Sequence, residues 1–153
     1  MKLYLMQHGN SVSKEEDPER PLSVQGTNDV KKVAEFLQDA GIMVEEAFHS
    51  GKMRARQTAE IMISLLNPRA ELTEKGELAP LNDVRDILEQ IKKRKTDLLI
   101  VGHLPHLAKL VSMLIMGTES TQMVSFQQGG VACLSKDPRG EWTLAWMLVP
   151  EIL

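Results

Sequence analysis

The chain has 153 residues, 42% of them hydrophobic and 25% charged, which is the balance of one globular domain with a core and is too short for two. A formal net charge of −3 argues against a nucleic-acid binder working through a basic surface, and one cysteine, Cys133, excludes a disulfide framework and a multi-cysteine metal site. The N-terminal apolar stretch is too short for a signal peptide, and Leu104 to Met116 is broken by His106 and Lys109, so a cytoplasmic protein without a membrane span is expected.

In chain order, residues 2–7 alternate loosely and stop before Gly9, predicting a short buried strand. Residues 10–21 form a polar loop, after which Ser23 caps a helix to about Ala40 with Val30, Val33, Ala34 and Leu37 on one face. Val44 to His49 predicts a second strand, and Ser50-Gly51 opens a helix of about four turns ended by Asn67-Pro68. A weak strand near Ala70 to Thr73 leads to an irregular segment, Glu74 to Leu81. The next helix starts near Asn82-Asp83 and buries Val84, Ile87, Leu88 and Ile91. Leu98-Leu99-Ile100-Val101 is an apolar run suited to a strand buried on both faces of a parallel sheet, and Pro105 starts a further helix. Met123 to Gln127, Val131 to Ser135 and Trp142 to Leu148 read as three final strands, with Trp142 and Trp146 on one face of the last. The alternation predicts an α/β three-layer sandwich, a mainly parallel central sheet flanked by helices, in one domain over residues 1–153.

Three predicted strands end in polar residues: Gln7-His8-Gly9-Asn10, His49-Ser50-Gly51-Lys52 and Gly102-His103. Ligands of open α/β sheets sit beyond the carboxyl ends of the strands, so these places are expected to converge. On the helix after Ser50 the inward positions are Thr58, Ile61, Met62 and Leu65, and four residues before Thr58 comes Arg54. An inward arginine is costly unless it meets an anion, from a ligand or from an internal Asp or Glu. Arg56 lies off that face and can pair with Glu60 across one turn. Two histidines, one inward arginine and a helix N-terminus suit a phosphoryl group, held by the guanidinium fork and by backbone N–H groups. Neutral imidazole attacks phosphorus without prior deprotonation, so no metal and no cofactor is required. His49 and His106 carry the plainer reading of surface or capping residues.

The order Leu5-Met6-Gln7-His8-Gly9, Arg20-Pro21-Leu22-Ser23 with Gly26, Ser50 with Arg54, Gln57 and Thr58, and Val101-Gly102-His103-Leu104-Pro105 resembles the histidine phosphatase superfamily. These are the phosphoglycerate-mutase-like proteins, and the short chain resembles the small SixA-type phosphohistidine phosphatases among them. The resemblance implies that His8 is the nucleophile and that Arg54 and His103 hold the phosphoryl oxygens and stabilise charge in transfer. Substrate contacts are expected from Gln7, Gly9, Asn10, Arg20, Ser50, Lys52 and Glu77. The family places an arginine immediately before the nucleophile, where this chain has Gln7. Losing one such donor costs about 2.7–4 kcal/mol, or about 10²–10³ in rate, unless Arg20 or Lys52 compensates. Glu77 is the candidate general acid, and Asp83 a helix cap. The implied function is a metal-independent phosphatase acting on a phosphohistidine-bearing protein of a signalling relay. Two alternatives stand beside it: a phosphoryl-group or phosphoprotein binding module disabled by Gln7, and a small-molecule phosphomonoester phosphatase. Neither nucleic acid nor membrane is an expected partner.

Overall fold

The computed structural model describes residues 1–153. Six strands, β1 (Lys2–Gln7), β2 (Glu46–His49), β3 (Glu71–Glu74), β4 (Leu98–Gly102), β5 (Val131–Lys136) and β6 (Trp142–Leu148), form one sheet in the order β3-β2-β4-β1-β5-β6. The first four in that order are parallel, while β5 runs antiparallel to β1 and β6 antiparallel to β5. Alternation along β1 sends Leu3 and Leu5 to one face and Tyr4 and Met6 to the other. The first face packs on α3 (Val84–Lys92) and α4 (His106–Met116), and the second on α1 (Val24–Asp39) and α2 (Met53–Leu66). The result is the three-layer α/β sandwich that the alternation of elements predicts. No helix is long and apolar enough to cross a membrane.

Local chemistry sets the elements. The Ser23 hydroxyl accepts from the Gly26 N–H at 3.0 Å and caps α1, and the Asp83 carboxylate accepts from the Arg85 N–H at 2.9 Å and caps α3. Every residue of β4 is buried, as its unbroken apolar run requires. Registers then place the site. Gln7 of β1 pairs with Gly102 of β4, so His8 and His103 leave neighbouring strands side by side, and His49 of β2 pairs with Val101.

Two expectations fail. Met123 to Gln127 form no strand: Val124 and Phe126 alternate into the core beneath α3 and α4, but the segment has no strand partner. Trp142 and Trp146 lie on opposite faces. The pairing shifts from Cys133–Trp146 to Leu134–Leu144, so β6 carries one extra residue between them and its alternation inverts. Trp142 joins the core on the α3–α4 side, while Trp146 packs against Tyr4 on the α1–α2 side with ring centroids 6.0 Å apart.

Candidate active site

His8 follows β1 directly, and its backbone N–H donates to the Gly102 carbonyl at 3.1 Å. Its ring is buried, and Nδ1 lies 2.7 Å from the Gly9 carbonyl. A carbonyl only accepts, so Nδ1 carries the proton and Nε2 keeps its lone pair. The Arg54 Nε–H, from the first turn of α2, points at that Nε2 at 3.4 Å. Thr58, one turn on, accepts from the Gly9 N–H at 3.0 Å and donates to the Arg54 carbonyl at 2.8 Å, joining the loop after His8 to α2. Gly9 permits close packing: a Cβ there would stand 2.8 Å from the Val30 side chain. Burial lowers the His8 pKa to about 4, and Arg54 and Arg20 push the same way against the Gly9 carbonyl. At neutral pH the ring is therefore uncharged.

His103 faces it, ring centroids 4.9 Å apart and planes tilted by 51°. Its Nε2 shares a hydrogen bond with the Ser50 hydroxyl at 2.6 Å. Its pKa falls to about 3, through burial first and then through His8, Arg54, Lys52 and His106. Arg54 forms no ion pair with any carboxylate of the chain, whereas Arg56 pairs with Glu60 at 2.8 Å on the exposed side of α2. The inward guanidinium thus meets the neutral His8 imidazole and no internal anion, an arrangement suited to an anionic ligand.

Arg54 opens onto a cleft of about 730 Å³ that Lys14, Arg20 and Lys52 also line, with Glu19 as its one acidic residue and Ala79 to Asn82 as a wall. Arg20 has φ of +50°, and its guanidinium donates to the Ser11 hydroxyl at 3.1 Å and the Val12 carbonyl at 3.4 Å. Lys52 is the N-cap of α2, and its backbone N–H reaches the Ser50 hydroxyl at 3.4 Å. Gln7 makes no side-chain hydrogen bond, and its Oε1 is buried without a partner. Asn10 accepts from the Ser23 hydroxyl at 2.6 Å, donates to Gln128 at 3.0 Å, and lines a separate polar cleft with Gln25 and Asp29. Glu77 accepts from Gln90 at 2.8 Å and does not line the cleft beside Arg54. Backbone and Gln90 hydrogen bonds hold its carboxyl below the usual carboxylate range, so it stores no proton at neutral pH.

Other contacts escaped the sequence reading. Gln57 accepts from the Leu22 N–H at 2.7 Å and ties the polar loop to α2. His106 is wholly buried, not a surface residue, because it lies four residues before Leu110 on the apolar face of α4. His49 is buried as well.

Residues 3–80 match the family model of the histidine phosphatase superfamily, branch 1. The chain belongs to the histidine phosphatase superfamily. Within it, the chain is 27% identical over 155 residues to phosphohistidine phosphatase SixA of Escherichia coli (strain K12), covering 98% of this chain and 94% of that protein. An uncharacterised protein of Picosynechococcus sp. is 32% identical over 125 residues, covering 76% of this histidine phosphatase chain and 74% of its own. The structure of the protein histidine phosphatase SixA complexed with tungstate superposes with a TM-score of 0.87 at 26% identity, over 99% of both chains.

Proposed function

We propose that the protein is a phosphatase that forms a phosphohistidine intermediate on His8. The observation that carries this reading is the bare Nε2 of His8, set by the Nδ1–H bond to Gly9, with the Arg54 Nε–H 3.4 Å away. In the first step the Nε2 lone pair forms the bond to phosphorus while the bond from phosphorus to the leaving group breaks. Arg54, His103 and the first N–H groups of α2 hold the equatorial oxygens. In the second step water attacks phosphorus, the P–Nε2 bond breaks, and its electron pair returns to the ring. The route draws on no metal, because a neutral imidazole needs no activation to attack.

The substrate proposed is phosphohistidine on a protein of a signalling relay. Its leaving imidazole departs once protonated and places little demand on a general acid. The ionised state of Glu77 supports that choice over a phosphate ester, whose alkoxide leaving group demands a proton. Similarity to a phosphohistidine phosphatase and to a structure complexed with tungstate, a tetrahedral oxyanion, supports the same reading. Arg20 and Lys52 line the cleft beside Arg54 and offset in part the charge that Gln7 lacks.

Gln7 favours a second reading, a binding module without turnover. One experiment separates the two: the protein is incubated with a 32P-labelled phosphohistidine phosphotransfer protein, with His8→Ala as the control. Acid-labile label on wild type that is absent from His8→Ala, together with phosphate release, is the expected result. Retention of the partner without label or release replaces the enzyme with the binding module.

A further inference from the structure

We infer that His49 is a positioning residue: its ring holds the Ser50–Gly51 turn that carries the Ser50 hydroxyl onto His103. The inference rests on the reading of His8, Arg54 and His103 as a phosphoryl site. His49 ends β2, 5% exposed, in register with Glu74 of β3 and Val101 of β4. Its Nδ1 accepts from the Gly51 N–H at 3.0 Å, so that nitrogen carries no proton and the neutral ring is protonated at Nε2. Its carbonyl accepts from the Lys75 N–H at 2.7 Å, anchoring it to the end of β3. Gly51 has φ of +90°, and a Cβ there would run into the Glu74 carboxylate, so glycine fits the turn where other residues strain it. Between the two anchors stands Ser50, its Oγ 2.6 Å from His103 Nε2. One chain of contacts therefore runs from the end of β3, through His49 and Gly51, to the second histidine of the site.

The lock holds only with a neutral ring, because a protonated imidazole has no acceptor at Nδ1. The charged groups facing His49 are Glu74 on β3 and Arg56 and Glu60 on α2, which line an open cleft of about 320 Å³ with it. Burial dominates and keeps the ring neutral, Arg56 adds to it, and Glu74 and Glu60 oppose it. Acid therefore releases the turn and neutral pH closes it.

Two substitutions separate the lock from simple packing. His49→Leu fills the site without an acceptor. His49→Asn places Oδ1 the same number of bonds from the backbone as Nδ1, and accepts at every pH. The readouts are amide hydrogen exchange at Gly51, and kcat and KM on a phosphorylated histidine-phosphotransfer protein. In His49→Leu, Gly51 exchange is expected to quicken about tenfold, and kcat to fall about tenfold to a hundredfold with a smaller change in KM. His49→Asn is expected to stay within about threefold of wild type on both and to keep its Gly51 protection at acid pH, where the wild-type ring lets the amide go. Unchanged Gly51 exchange in His49→Leu overturns the proposal, as does failure of a folded His49→Asn to restore it. Should wild type show no turnover, the phosphatase reading falls. Gly51 exchange then decides the lock alone, upheld if His49→Leu quickens it.

Discussion

Two arginines two positions apart on α2 meet different surroundings. Arg56 is exposed and tied to Glu60, a pair worth about 0.3–0.5 kcal/mol on a helix surface. Arg54 meets no carboxylate and points at His8. Arg54→Ala is expected to weaken binding of inorganic phosphate by about tenfold to a hundredfold, the worth of a hydrogen bond to a charged group. Arg56→Ala is expected to change it by less than about twofold, and calorimetric titration of both variants checks the contrast. Gln7→Arg tests the missing charge: turnover is expected to rise by up to about 10²–10³. An unchanged rate shows that Arg20 and Lys52 already supply that charge. The pH dependence has a definite sign. His8 attacks only with Nε2 unprotonated, so the rate is retained at neutral pH and lost as pH falls through about 4.

Among the elements, α1 sets how closely the loop after His8 is held. Ser23 caps the helix and its hydroxyl donates to Asn10 at 2.6 Å, while Gly26 lies directly against the Asn10 backbone. Ser23→Ala is expected to cost about 1 kcal/mol. Gly26→Ala is expected to cost about 1–3 kcal/mol, because its Cβ meets backbone that has little room to move. Urea unfolding of both variants measures these losses. Ser23 as a cap, the inward Arg54 and the buried run of β4 were all legible in the sequence, since each rests on local chemistry or on a helical or apolar pattern. The failures had a different cause. Val124 and Phe126 alternate as a strand does, but alternation records burial and not pairing. Even spacing put Trp142 and Trp146 on one face, and a bulge opposite Cys133 and Leu134 reversed that. Asn10 follows His8-Gly9 directly, yet its partners Ser23 and Gln128 come from distant parts of the chain.

For the molecule as a whole, all four histidines, His8, His49, His103 and His106, have lowered pKa values, each chiefly through burial. The unfolded chain protonates them near the ordinary 6.5 and the folded chain only at lower pH, so between those values the unfolded state binds more protons. Their neutral burial costs no proton-linked stability above about pH 6.5 and costs progressively more as pH falls toward 4 and 3. The melting temperature is expected to drop across that range, measured by circular dichroism in matched ionic strength. Bound phosphate favours protonated His8 and His103, so it is expected to lessen the drop in the proposed enzyme. Cys133 is buried in β5 with its thiol pushed up to about 11, so it is expected to resist alkylation until the protein unfolds.

The two strands that carry His8 and His103 are the third and fourth of six, each hydrogen-bonded on both sides and covered by helices on both faces. Fraying begins at sheet edges, and here the edges are β3 and β6. Amides of Met6 and Val101 should accordingly exchange only by global unfolding, while those of β6 exchange through small local openings. A local melting step at the β6 edge should then leave the His8–His103 pair and turnover in place, while one at the β3 edge frees the Lys75 anchor of His49 and should lower turnover before the whole fold melts.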